Sequence, residues 1–520
     1  MLRLVLLLVV AGSLTACSQP AEEIRFDVLI VDGTVYDGSM SEPRRTNIGV
    51  VAERIASIGA PADAAADLVI DAAGRVVVPG FIDPHTHTAE DLASPERKAN
   101  VNFLTQGVAT VFVGVDGGGL PDRGDAITAM QSQGIGTNVA FYAGHAEIRR
   151  RVMGLENRAP TEEELQRMRE HVADEMRAGA LGLSTGLFYT PGNYATTEEV
   201  IELAKVAAGY GGVYDSHLRD EASYTIGLQG AVREAIRIGE EADIAVHIAH
   251  IKALGRSVWG QSGDVIALVA AANERGVEVT ADQYPYRASG TSLASSLIPR
   301  WAMADSREAM LGRLANPDLE DRLREEMDAN LWRRGGAESL LITGESGWRG
   351  MTLEEIAAEM GVEPLDAAIE VVREGDPSVA SFNMNPDDMS AFAIQPWVMT
   401  GSDGSGGHPR KYGTYPQAYR DFVREQALFS TSRFVHRSSG LPADTFGLCD
   451  RGYLEEGRRA DIVVIDLDNF VPLADFENPT ELSTGVTDML VNGQAVIANG
   501  EYTGALPGVV VDRQHLECND

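Results

Sequence analysis

The sequence predicts an α/β chain with three parts: a closed, parallel (β/α)8 barrel of the TIM type, a small β-sandwich built from both chain ends, and a helical cap insertion. Three observations predict it. Eight apolar runs through the middle of the chain alternate with helical patterns. Both ends instead carry short alternating strands joined by Asp-Gly, Asn-Gly and Gly turns, the pattern of hairpins. About a hundred residues separate the seventh apolar run from the eighth. An open, doubly wound sheet is the alternative fold.

Length and composition agree with a multi-part globular enzyme-sized chain. With 520 residues the chain is too long for one small core. Hydrophobic residues make up 44% and the mean hydropathy is −0.11, so the chain can bury a large interior. The formal charge of −34 would repel phosphates and argues against a nucleic-acid partner.

The elements follow in order. "MLRLVLLLVVAGSLTACSQP" has one Arg, an apolar run and then small residues, which reads as a secretory signal over 1–17. Its end, "LTAC", resembles the lipobox of bacterial lipoproteins, which implies lipid on Cys17. That would hold the protein at the periplasmic side of a bacterial membrane by lipid alone. Cys449 and Cys518 then remain, enough for one disulfide but not for a disulfide framework or a cysteine metal site.

"FDVLIVDGTVYDG", "IGVVAERIASIG" and "LVIDAAG" give strands over 25–75, and "ADIVVIDLDNF" and "DMLVNGQAVIANG" match them over 436–515. The barrel is expected over 76–435, with the cap within 287–395. The cap segment contains "SREAMLGRL", "LEDRLREEMDANLWR" and "TLEEIAAEMGV", all helix-like. In "TEEELQRMREHVADEMRAG", Thr161 is a helix cap with Glu164 three residues later.

Polar residues gather where the eight apolar runs end. The first run, "RVVVPGFI", leads into "DPHTH", with His85 and His87 two residues apart and therefore on one face. Later runs end on Asp116, His145, His217, His250 and Asp403. Counting His247, six of the ten histidines lie at such ends, whereas core histidines would scatter. In a barrel these ends form one mouth, and imidazoles with carboxylates there can bind Zn²⁺ or a related ion. Alternation in "VHIAHIK" puts Val246, Ile248 and His250 on one face. If that face lines the barrel, His250 is the ligand and His247 packs against a helix. His145 either orients substrate or satisfies a loop, and Asp116 could be only a turn residue in "DGGG".

The ordered set "GFIDPHTH", "HIAHIK", "GSDG" and "HPRKYGTYPQ" is similar to the D-aminoacylase (N-acyl-D-amino-acid deacylase) branch of the amidohydrolase superfamily. "HRSSGLPADTFGLCDRGYLEEGRRADIVVID" resembles the tail of that branch, where the chain returns to the sandwich. The likeness covers essentially everything after the signal. It implies a distorted barrel and a metal site for one or two divalent ions such as Zn²⁺. His85, His87, His217 and His250 would be ligands, and Asp403 both a ligand and the general base and acid. The relatives usually place a Cys ligand in "GNCG", whereas this chain has "GVDG" with Asp116. A carboxylate can bridge two ions, and "LGLSTGL" offers no barrel Lys for that purpose.

The implied reaction is metal-dependent hydrolysis of an N-acyl-D-amino acid, or of a dipeptide with a C-terminal D-residue. A divalent cation lowers the pKa of water it holds to roughly 7, and Asp403 would take that water's proton. Lys252 and Arg410 would clamp the substrate carboxylate beside Tyr284, Tyr286 and Ser289. Arg300 could meet an acidic substrate side chain. Two other functions compete: a cyclic-amide hydrolase related to hydantoinases and dihydroorotases, and a binding lipoprotein that has lost catalysis. "SDGSGG" suggests a serine hydrolase but lacks the G-x-S-x-G elbow.

Overall fold

The computed structural model describes residues 25–120, 123–513 and 516. The expected signal and Cys17 lie outside the described residues, as does Cys518; Cys449 is disulfide-bonded.

The two chain ends share one sheet. β1 (Phe26–Val35), β2 (Arg44–Val51), β3 (Arg54–Ile58), β4 (Ala66–Asp71) and β5 (Val76–Pro79) supply its N-terminal half. After the strands of the barrel and its insertion, numbered β6–β17 below, β18 (Ile462–Ile465), β19 (Val486–Val491), β20 (Gln494–Ala498) and β21 (Glu501–Tyr502) complete the nine strands. The seam is β5, parallel to β1 at Thr34↔Val76 and antiparallel to β18 at Val464↔Val77. Ile30, Ile48, Val50, Ile462 and Val464 form a separate apolar core for this sheet, each at most 1% exposed. The Asn492-Gly493 turn between β19 and β20 has φ of 46° and 76°, the doubly left-handed turn that suits a two-residue hairpin.

The barrel strands are β6 (Phe81–Asp83), β7 (Val108–Val113), β8 (Asn138–Phe141) continued by β9 (Ala143–Gly144), β10 (Gly182–Gly186), β11 (Val213–His217), β12 (Ala245–Ile248), β13 (Val279–Gln283) and β17 (Val398–Thr400). Neighbours pair in parallel around the ring. The ring closes between its first and last strands: Asp403 N donates to His85 O at 2.9 Å and His87 N to Gly404 O at 3.1 Å. The barrel is therefore closed rather than an open sheet.

Alternation sorts the strand residues. Val111, Val139, Val246 and Ile248 face the surrounding helices, while Ile82, Phe112, Ala140, Val213 and Met399 face inward. The inward layer is plugged by the helix Gly440–Phe446, whose Phe446 ring lies 4.7 Å from Phe112. Among the outer helices, Glu162–Arg177 starts with the expected capping box between Thr161 and Glu164.

The insertion after β13 is not purely helical. β14 (Ala288–Ser292), β15 (Leu340–Ile342) and β16 (Ser378–Phe382) form an antiparallel sheet within it. "ASGTS" lacks the β-branched apolar alternation that marks a strand, and "LLI" is too short to show a period. Helices pack on this sheet around a core of Leu293, Leu297, Leu340, Ile356 and Val379, distinct from the barrel's.

Phe112 joins the barrel wall to its plug with no exposure. Phe112→Ala is expected to cost about 3–5 kcal/mol of stability, the range for emptying a buried aromatic site, read as a lowered thermal or denaturant midpoint.

Candidate metal centre

The strand ends deliver six polar side chains to one place. His85 and His87 follow β6, Asp116 follows β7, His217 ends β11, His250 follows β12 and Asp403 follows β17. Asp116, His250 and Asp403 all adopt left-handed backbone, with φ of 53°, 36° and 47°. Non-glycine residues visit that region at a cost and cluster there at functional sites. Gly186 allows the Asp116 loop to approach, since a Cβ there would lie 2.2 Å from the Asp116 carbonyl oxygen.

Asp116 is the hub. Its Oδ1 lies 3.4 Å from His85 Nε2, 3.4 Å from His217 Nδ1 and 3.5 Å from His250 Nε2, and its Oδ2 lies 3.5 Å from His87 Nε2. His87 Nε2 is also 3.1 Å from Asp403 Oδ1. Asp116 Oδ1 and both nitrogens of His85 are buried without a hydrogen-bond partner, an arrangement that costs free energy unless something else satisfies them. A divalent ion does so. Bonds of 2.0–2.1 Å in a tetrahedral sphere put ligand atoms about 3.4 Å apart, which matches the Asp116 spacings. Candidate ligand groups lie on both sides of the cluster: His85, His87 and Asp403 on one side, His85, Asp116 and His250 on the other. The donor set fits a divalent cation, and Asp116 faces both groups.

The carboxylates are held ionised. Burial works against charge on Asp116, but His85 and His217 overcome it and keep its carboxyl well below the usual range. Burial opposes charge on Asp403 too, and Arg410 foremost, then His250, lowers it. Arg410 Nη1 lies 2.7 Å from Asp403 Oδ2. Beneath the cluster, Asp83 differs: burial outweighs its hydrogen bonds and pushes it up to about 8.

The cluster opens into a cavity of about 490 Å³ whose walls include Lys252, Tyr284, Ser289 and Arg410. The Arg410 guanidinium stacks 4.8 Å from the Tyr284 ring, and the Tyr284 hydroxyl is buried without a partner. Tyr286 does not line this cavity. It packs edge-on against His408 at 5.4 Å, because the chain turns between the two tyrosines and sends them apart. Arg410 lines the same cavity, pairing with Asp403 through Nη1 while its buried Nε has no hydrogen-bond partner.

Other expected residues are resolved by their partners. His145 heads a helix and pairs with buried Glu199 at 3.0 Å, with Arg149 on the other carboxylate oxygen, so it serves that buried cluster and lies outside the cavity wall. His247 faces the barrel interior rather than an outer helix, 3.1 Å from Asp282 and 5.3 Å from the Phe446 plug. The face assignment from alternation is thus reversed. Val246 and Ile248 point outward, and His250 reaches the mouth only because its left-handed backbone breaks the alternation. Arg300 lies 3.7 Å over Phe188 and lines a neighbouring cavity of about 620 Å³ that shares Phe188 and Tyr224 with the first. Glu221 escaped the sequence reading. It is buried 3.2 Å from His250 Nδ1 and 2.5 Å from Lys252 Nζ. Burial opposes its charge, but Lys252, His217 and His250 hold it well below the usual range. Its one sequence signal is an acid four residues after His217 in "HLRDE".

Residues 68–229 match the model of the amidohydrolase family. The D-aminoacylase of Alcaligenes xylosoxydans xylosoxydans is 34% identical over 94% of this chain and 98% of its own. The chain belongs to the D-aminoacylase branch of the amidohydrolase family. An N-acyl-D-glutamate deacylase of the same organism is 33% identical over 91% of this chain and 94% of its own. A crystal structure of N-acyl-D-glutamate deacylase from Bordetella bronchiseptica, complexed with zinc and a phosphonate mimic of the tetrahedral intermediate, superposes with a TM-score of 0.81. It is 31% identical and covers 94% of this chain and 100% of its own. A D-aminoacylase structure described for its binuclear metal centre gives 0.79 at 32% identity, with the same coverage. A dihydropyrimidinase from Brevibacillus agri, at 16% identity and a TM-score of 0.56, shares the fold.

Removing the hub of this branch's cluster tests the metal reading. Asp116→Ala should weaken divalent-ion binding by more than the roughly 10–100-fold that an outer partner of a ligand commands. Competition with a coloured chelator would measure it.

Proposed function

We propose that this protein hydrolyses the amide bond of N-acyl-D-amino acids, with His85, His87, Asp116, His217 and His250, joined by Asp403, holding one or two zinc ions. The carrying observation is the Asp116 carboxylate set among four imidazoles at the mouth of a cavity that also contains Lys252. The similarity to zinc-containing deacylases supports the same reading. Bound zinc supplies a Lewis acid that makes water nucleophilic at neutral pH and polarises the amide carbonyl.

The chain's own residues do the rest. Asp403, kept ionised by Arg410, accepts the proton of the attacking water and returns it to the departing amine. Arg410 holds this carboxylate in place through Oδ2, leaving Oδ1 on the His87 side. Lys252, the Tyr284 hydroxyl and Ser289 receive the substrate carboxylate, a charge-assisted contact in a buried wall. The cap contributes Ser289, Thr343 and Val379, so the insertion supplies part of the cavity wall.

Lipid on Cys17 places the enzyme on the periplasmic face of a bacterial membrane. The support is the sequence "LVLLLVVAGSLTAC". Among the described residues no helix is long and apolar enough to cross a membrane, so attachment in this reading is by the lipid.

Two experiments bear on these assignments. Asp403→Asn should lower kcat by about 10²–10⁴, the share of a general acid-base group, while metal content stays near wild type. A panel of N-acetyl-D- and N-acetyl-L-amino acids with released amine measured provides the assay, and wild-type protein inactive on every D-substrate would refute the activity. Cys17→Ser should abolish incorporation of labelled palmitate.

A further inference from the structure

Asp116 reaches the cluster from a tight turn. Gly118 N donates to Val115 O at 2.8 Å, so Asp116 and Gly117 are the central pair, with φ of 53° and 74°. Two left-handed central residues define the turn for which Asp-Gly is a preferred pair. The turn itself offers no partner to the peptide between those two residues, and a buried N–H left unpaired costs free energy. Gly117 is buried.

Ser184, on β10, supplies the partner. Gly117 N donates to Ser184 Oγ at 3.0 Å, and Ser184 Oγ donates to Asp215 Oδ2 at 3.0 Å. A hydroxyl has one proton and two lone pairs. With the proton given to Asp215, a lone pair is left for Gly117. Ser184 and Asp215 are both fully buried. The other end of the same peptide is the Asp116 carbonyl, and it rests on β10 too, where a Cβ at Gly186 would lie 2.2 Å from it. The strand that places no side chain among the six of the cluster therefore grips the peptide that follows Asp116. That peptide cannot turn over to find another partner, because the turned-over form calls for glycine at the first central position.

We propose that Ser184 is a positioning residue of the metal centre: by holding the Gly117 N–H it fixes the backbone that aims the Asp116 carboxylate at the imidazoles. This role rests on Asp116 being an ion ligand.

Ser184→Ala tests it with zinc alone, titrated against a coloured chelator beside Asp116→Ala and the double variant. Ser184→Ala should weaken zinc by about 10–100-fold, the range for a residue that acts on a ligand from behind. The wild-type number of zinc equivalents should still bind at saturation. The double variant should bind zinc no more weakly than Asp116→Ala, because Ser184 acts through that carboxylate alone. Hydrogen exchange of the metal-free proteins, read by mass spectrometry on peptides, gives a second measurement. Residues 114–119 should exchange faster in Ser184→Ala, while β12 keeps its wild-type protection.

Wild-type zinc affinity in Ser184→Ala, beside weakened affinity in Asp116→Ala, would overturn the proposal. So would zinc losses that multiply in the double variant, or exchange that quickens throughout the barrel, since either would make Ser184 a general support of the fold. Loss of a whole zinc equivalent at saturation would make it a ligand and overturn the proposal as well. If Asp116→Ala binds zinc as tightly as wild type, the ligand reading of Asp116 fails on that result, and the role of Ser184 falls with it.

Discussion

One carboxylate oxygen, Asp116 Oδ1, sits within 3.5 Å of imidazoles from three strands. No hydrogen bond satisfies it. That convergence is the constraint on which the site depends. It requires a closed barrel, because the donors come from the first, second, fifth, sixth and last strands of the ring. It also requires backbone that leaves the strand direction abruptly, which is why Asp116, His250 and Asp403 all take left-handed φ. The strain is held at Asp403 by the backbone bonds of Asp403 to His85 and of His87 to Gly404 across the closing seam, and at Asp116 by the close approach of Gly186 to its loop.

Much of this was legible in the sequence, for identifiable reasons. Each barrel strand is an apolar run ending on a polar residue, so His85, His87, Asp116, His217, His250 and Asp403 could be placed at one mouth before any coordinates. The Asn492-Gly493 turn and the Thr161 cap encode their own geometry locally. What failed depended on non-local contacts. Alternation misassigned His247 and His250 because it assumes strand geometry up to a residue whose φ is 36°. Tyr284 and Tyr286 share a motif, but the chain bend after β13 sends one to the cavity and the other to His408. The three-stranded sheet of the cap is built from segments too small or too polar to carry a strand signal.

The two sides of the cavity have separate supports. The donor cluster stands on barrel strands whose inward layer is fixed by the Phe446 plug. Ser289, Thr343 and Val379 on the opposite wall come from an insertion with its own sheet and its own apolar core. Changes in the second core can therefore reshape the wall without moving the metal-facing atoms. Lys252 and Glu221 stand on the barrel side, so the cationic contact is tied to the cluster and not to the cap.

The seam at β5 also sets the order in which the chain can mature on a ribosome. Val76–Pro79 is among the earliest strands to emerge, yet one of its edges is filled only by Ile462–Ile465, nearly four hundred residues later. Until then that edge is an open template for pairing with other chains. Protein truncated before the last β-rich segment would keep its barrel residues but lack the clasp, making aggregation during synthesis the characteristic failure of this architecture.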